Sequence, residues 1–197
     1  NINFEIKKNE RVAIIGESGS GKTSLLMLMS CLEKPTTGSI IFNNEDFSKL
    51  SEKNKTEIRK TKIGLIFQQF YLIPNYSALE NVMFPMQINK IKDEQKKAIS
   101  LLSEIGLADQ KNNLPSELSG GEQQRVAIAR AISFGPEIIL ADEPTGNLDE
   151  KNTKLVSNLL LDYSKKKKIS LILVTHNMKL AKKCDRIIKL LDGSIKV

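Results

Sequence analysis

The sequence predicts an α/β protein with a mainly parallel central sheet. Short apolar runs of strand length, such as Ile138–Ala141 and Ile169–Val174, alternate along the chain with amphipathic helical stretches. A glycine-rich segment joins the strand Arg11–Ile15 directly to an apolar helix. The 197 residues are 40% hydrophobic, which suits one domain with a substantial core and excludes global disorder. No run reaches the roughly 18 apolar residues that span a bilayer, and no secretory signal is visible.

The elements follow in order. Ile2–Ile6 and Arg11–Ile15 read as two strands joined by the polar turn Lys7–Glu10, the start of an antiparallel N-terminal β portion. A helix follows from about Lys22 to Cys31, then a strand over Gly38–Asn43 and a charged helix over Ser51–Lys60. Ile63–Phe67 is continuously apolar and reads as a buried strand. The texture then turns helical. Ser77 and Glu80 form a capping-box pattern ahead of a helix Ala78–Met86. Asp93–Ile105 is amphipathic and stops at Gly106. A polar loop follows, Ala108–Ser116. Beyond it the alternation resumes: helix Gly120–Ser133, strand Glu137–Ala141, helix Leu155–Ser164, strand Ile169–Val174, helix Met178–Lys183. Strands Arg186–Leu191 and Ser194–Val197 flank the hairpin signal Asp192-Gly193.

Composition narrows the chemistry. Thirty Lys and Arg against 23 Asp and Glu give a net charge of +7, of which the dense run is Lys165–Lys168. A solvated lysine surface accounts for such a balance; docking to an acidic partner or to lipid headgroups is the sharper alternative. One histidine excludes a multi-histidine metal centre. Cys31 and Cys184 cannot build a disulfide framework or a four-cysteine zinc site. Aromatics are 5% with no Trp, too few for a stacking platform on single-stranded nucleic acid.

The strongest local signal is Gly16-Glu17-Ser18-Gly19-Ser20-Gly21-Lys22-Thr23, which matches the phosphate-binding pattern G-x-x-x-x-G-K-[ST] between a strand and a helix. Backbone N–H groups of Gly16, Ser18, Gly19, Ser20, Gly21 and Ser24 can line an anion nest at the helix N-terminus. Lys22 would reach the β- and γ-phosphates, and the Thr23 hydroxyl would ligate Mg²⁺. Downstream, the apolar strand Ile138–Ala141 ends in Asp142-Glu143, at the edge where parallel sheets bind ligands. Asp142 is the candidate for Mg²⁺. Glu143, pointing the other way along the strand, could accept a proton from an attacking water. A second anion site is Leu118-Ser119-Gly120-Gly121-Glu122-Gln123-Gln124-Arg125. A plain capping box, Ser119 with Glu122, would also fit, but two glycines in a first turn are poor helix formers.

Leu118–Arg125 resembles the signature sequence of ATP-binding cassette (ABC) ATPases, and the resemblance extends over nearly the whole chain. It implies the P-loop NTPase fold of that family as a single domain over 1–197, short of its first strand, with a helical subdomain at about 69–117. By the same resemblance Gln68 matches the Q-loop glutamine, which supports the metal with Thr23 and Asp142. Asp149, in Asn147-Leu148-Asp149, matches the D-loop. His176 matches the switch histidine at the γ-phosphate. The segment Thr145–Asp149 looks like the variant of the lipoprotein-releasing, macrolide-exporting and bacteriocin-exporting group, as does Ile73–Val82. The family's adenine-stacking aromatic lies upstream of the position of Asn1, and Phe4 is too near the phosphate loop to replace it.

The resemblance implies ATP and Mg²⁺ as cofactors and a head-to-tail dimer, with Ser119, Gly120 and Gly121 of one copy covering ATP on the other. Lys22, Glu143, His176 and Gln68 are then the hydrolytic residues. The expected partner is a polytopic permease, with the chain peripheral on the cytoplasmic face of the membrane and no nucleic acid bound. A soluble ABC ATPase acting on ribosomes or nucleic acid is the rival. It is disfavoured by a single cassette and by the lack of sustained heptads between Ser24 and Glu117.

Overall fold

The computed structural model describes residues 2–196. Asn1, and Val197 at the end of the last expected strand, lie outside the described residues. Strands β1 (Arg11–Ile15), β4 (Ile63–Ile66), β5 (Ile138–Asp142), β6 (Ser170–Val174), β7 (Arg186–Leu191) and β8 (Ser194–Lys196) form one sheet in the order β4-β5-β6-β1-β7-β8. Every pairing is parallel except β7 with β8. A separate antiparallel pair joins β2 (Ile41–Phe42) to β3 (Glu45–Asp46). The α/β, mainly parallel expectation holds.

Alternation along the strands sorts the core into two layers. Ile139, Ala141, Leu171 and Leu173 face one way, onto α5 (Gly120–Ile132) and α6 (Glu150–Lys167). Against α5 pack α3 (Ala78–Ile88) and α4 (Glu94–Glu104). Leu140, Ile172, Val174, Val12 and Ile14 face the other way, onto α1 (Lys22–Met29) and α2 (Glu52–Lys62). Strands covered on both faces are continuously apolar, which is why they were readable as runs rather than alternations. The short helix α7 (Met178–Ala181) follows β6.

Several expectations need correction. Ile2–Ile6 is no strand: Ile2, Phe4 and Ile6 are half-buried in alternation, but the segment joins no ladder. Alternation sets which side chains point inward; a strand also needs a neighbour, and here Arg186 instead donates to the Glu5 carbonyl. Gly38–Asn43 shrinks to two residues because Asn43 and Asn44 both take positive φ, 48° and 66°, and turn the chain into β3. Helix α1 stops before Cys31, which has φ 59°. Helix α6 begins at Glu150, not Leu155, with Asp149 as its cap. Its opening residues are polar and show no apolar period. The lysine run closes this helix: Lys165–Lys167 fill the last turn and Lys168 caps it, the favourable end for cations.

One buried polar side chain organises the helical insertion. Asn81 is fully buried. Its Oδ1 accepts the Ile73 N–H at 2.8 Å, and its Nδ2 donates to the carbonyls of Ile73, Tyr76 and Ser77 at 3.2, 2.9 and 3.1 Å. One amide thus folds the loop before α3 and seats the helix start. Asn81→Ala should cost about 1–3 kcal/mol in chemical denaturation, because the part-buried Ile73 amide is left unpaired.

Candidate active site

Four parallel strands end on one edge, and the loops after them converge. The glycine-rich loop follows β1, Gln68 lies just beyond β4, Asp142 ends β5 and Glu143 follows it, and His176 follows β6. They enclose a cleft of about 470 Å³, lined by Gly16, Ser18, Gly19, Gly21, Lys22, Thr23 and Ser24 of the loop and by Gln68, Asp142, Glu143 and His176. This is the carboxyl edge at which parallel sheets bind ligands.

The loop is built for an anion. Gly16 runs against β7 so closely that a Cβ would sit 2.3 Å from the Leu190 carbonyl oxygen. Gly21, at φ 96°, opens α1 with no side-chain cap, leaving the helix's first N–H groups free. Lys22 Nζ donates to the carbonyls of Gly16 and Glu17 at 3.0 and 2.7 Å, so the ammonium is held over the nest. Ser20 sits apart from the other loop residues. It is buried, its hydroxyl turns inward beneath Gly16 without a partner, and it does not line the cleft.

Across from the loop stands a carboxylate with spare capacity. The Thr23 hydroxyl donates to Asp142 Oδ2 at 2.9 Å, while Asp142 Oδ1 is buried without a hydrogen-bond partner. Burial pushes the Asp142 carboxyl above the ordinary aspartate range, with Glu143 adding to the shift. The Thr23 hydrogen bond and Lys22 oppose it. Among the described residues no group of three or more His, Cys, Asp or Glu could form a cage. A hydroxyl beside one orphaned carboxylate oxygen fits Mg²⁺, which binds through one or two protein oxygens plus phosphate and water.

Glu143 does not point away from Asp142, as strand alternation implied. The strand ends at Asp142, and Glu143 takes φ 42° ahead of Pro144, a conformation that costs a non-glycine residue about 1–2 kcal/mol. This strained backbone turns both acids into the same cleft. Glu143 Oε1 lies 2.9 Å from His176 Nδ1, and Glu143 Oε2 accepts the Thr175 hydroxyl at 3.2 Å. The histidine ring is 71% exposed, and its second nitrogen is left for another partner. Gln68 is held through its amide: Nε2 donates to Asn147 Oδ1 at 3.0 Å, and Asn147 Nδ2 donates to the Gln68 carbonyl at 3.3 Å.

Ser119, Gly120 and Gly121 are not among the residues that line this cleft. The capping box does form: Glu122 accepts from the Ser119 N–H and hydroxyl at 2.8 and 2.6 Å. The two glycines differ. A Cβ on Gly121 would strike the Asn152 side chain at 2.3 Å, so that glycine is required within the chain. A Cβ on Gly120 would meet only Phe70, at 3.7 Å. Nothing in this chain demands its bareness. Asn152 also donates to Asp149 at 2.6 Å and accepts from Arg125 at 3.3 Å, binding the D-loop to the signature helix. Its bonds to Asn152 hold the Asp149 carboxyl below the ordinary range. Sequence reasoning missed Thr175 and Asn152 as site-forming residues. It quoted Asn147 without giving it a task.

The ABC transporter family model matches residues 1–146. The lipoprotein-releasing system ATP-binding protein LolD of Legionella pneumophila (strain Paris) is 44% identical over 196 residues, covering 98% of this chain and 86% of the relative. LolD of Hydrogenovibrio crunogenus is 45% identical over 194 residues, covering 98% and 84%. The dimeric ATP-binding cassette MJ0796, solved in a post-hydrolysis state with ADP and Pi, superposes with a TM-score of 0.92 at 42% identity, over 100% of this chain and 88% of that one.

Two outcomes follow from the geometry. Because burial raises the Asp142 pKa, the folded state holds the proton more tightly than the unfolded chain, and stability falls as pH rises through that window. Asp142→Asn should therefore raise the Tm of the nucleotide-free protein by about 2–4 °C at pH 7, with the gain gone below about pH 4, as a pH series of thermal melts will read. Gly121→Ala should cost about 1–3 kcal/mol, since Asn152 must give up its bonds, whereas Gly120→Ala should melt within about 0.5 kcal/mol of the parent.

Proposed function

This chain belongs to the ABC transporter family, and on that basis we propose how its residues divide the work. It binds and hydrolyses ATP to power a membrane transporter, as the energy-coupling subunit of a head-to-tail ATPase dimer. The observation that carries the division of labour is the separation of its two anion sites. Lys22, Thr23, Asp142, Glu143 and His176 share one cleft, and Ser119–Gly121 lie outside it.

In the proposed reaction the ATP phosphates lie on Gly16–Ser24, and Lys22 exchanges the carbonyls of Gly16 and Glu17 for the β- and γ-phosphates. Thr23 and Asp142, with Gln68, would hold Mg²⁺, which when bound would neutralise charge on the phosphates. Glu143 accepts the proton of a water whose oxygen attacks the γ-phosphorus in line as the bond to the bridging oxygen breaks. Ser20 shapes the loop from within, its N–H donating to the Glu17 carbonyl at 3.2 Å. Thr175 and His176 hold the Glu143 carboxylate, and the free nitrogen of His176 faces the γ-phosphate. Ser119, Gly120 and Gly121 of the second copy close over the nucleotide. Gly120, unhindered in its own chain, suits that close approach.

The helical subdomain 69–117 transmits closure to a polytopic permease, which keeps the chain at the inner face of the membrane. Among the described residues no helix is long and apolar enough to cross it. The identity to LolD subunits supports a permease of the lipoprotein-releasing group over a ribosomal or nucleic-acid role. Glu143→Gln should bind ATP normally and lose roughly 10²–10⁴-fold in turnover. The dimer should accumulate on size exclusion with ATP, and unchanged turnover would remove Glu143 from the proton-accepting role.

A further inference from the structure

We propose that Asn147 is a positioning residue that sets which way the Gln68 amide faces, so that its oxygen is the atom left for the metal–nucleotide. A side-chain amide has two nearly isosteric ends, one accepting and one donating, and at an exposed position either can turn outward. Gln68 and Asn147 are both exposed. What fixes them is a chain of forced choices. The backbone carbonyl of Gln68 can only accept, and Asn147 Nδ2 donates to it at 3.3 Å. Asn147 must then direct Oδ1 the other way. That oxygen can only accept, and it receives Gln68 Nε2 at 3.0 Å. One N–H of the Gln68 amide is thereby engaged by Asn147, and Oε1 is the end turned from it.

Gly146 gives the arrangement room. A Cβ there would lie 2.9 Å from Gln68 Nε2 and 3.2 Å from its Cδ, so a side chain would crowd the glutamine amide where it meets Asn147. Asn147 stands two residues before Asp149, which is itself bonded to Asn152 beside the signature helix. The same short segment therefore bonds Gln68 beyond β4 and, through Asn152, is linked to Arg125 of α5. Its Thr145-Gly146-Asn147-Leu148-Asp149 sequence has a physical use: the glycine gives room and the asparagine gives polarity.

This inference rests on Gln68 facing the metal–nucleotide, so the experiment separates the two. In metal-free, nucleotide-free protein the Gln68 side-chain ¹⁵N amide signal should be displaced and slowed in exchange. In Asn147→Leu it should move to the position of an exposed glutamine. The half-saturating Mg²⁺ for ATP hydrolysis should rise about three- to tenfold in that variant, with kcat within about twofold. The decisive arm uses the Gln68→Glu background. A carboxylate shows an oxygen whichever way it turns, so Asn147→Leu should there shift the Mg²⁺ requirement no further. An unchanged Gln68 signal in Asn147→Leu, or an equal Mg²⁺ shift in the Gln68→Glu background, overturns the role of Asn147. If the signal responds but Gln68→Ala leaves the Mg²⁺ requirement unaltered, the metal-facing role of Gln68 is what falls.

Discussion

The hydrogen bond from Thr23 to Asp142 joins the start of α1, after β1, to the end of β5, with β6 lying between the two strands. It can form only if all three strands run the same way and end level. The sheet achieves this with helices buried on both faces. The bond leaves one carboxylate oxygen of Asp142 without a partner in a place where burial already disfavours charge. An isolated domain gains nothing from that arrangement. A site that waits for a cation and a polyphosphate does, because the cost of the buried acid is offset only when they arrive.

Around this bond the chain stores further tension at few positions. Glu143 holds a left-handed backbone in front of a proline, and the Val174 carbonyl and the Thr175 hydroxyl fix it there. His176 completes the group from the next loop. At the signature helix, Ser119 caps the helix start and Asn152 joins Asp149 to Arg125, whose Nε stays buried without a partner. Among the described residues ten non-glycines take positive φ, and of these Glu143 alone lines the cleft.

The sheet was legible because its central strands are covered on both faces and therefore continuously apolar; β1 was read to the residue. The helix starts with side-chain caps, Ser77 and Ser119, were legible for the same local reason. What escaped depended on partners distant in sequence. Ile2–Ile6 has a strand's alternation and no neighbour, and α6 begins with residues too polar to reveal a face. Within the site, Lys22, Thr23 and Asp142 could be placed from short patterns, and His176 from the family resemblance. The turning of Glu143 into the cleft and the inward hydroxyl of Ser20 are set by backbone angles and by the approach of β7, which no spacing encodes. The two signature glycines looked equivalent as letters, and only the position of Asn152 separates them.

The placement of Ser119–Gly121 outside the chain's own cleft has a genetic consequence. In the proposed head-to-tail pair each copy lends its signature to its neighbour, so a fault there would be felt at the other copy's nucleotide. Suppose a cell makes two versions of the chain, one altered at Ser119 and one at Lys22. When they pair with each other, both faults fall on the same composite site and the other site is whole. Two alleles, each inert with itself, would then complement. Two alleles altered at Lys22 and Glu143 would not, because those residues share a cleft and their faults divide between the two sites.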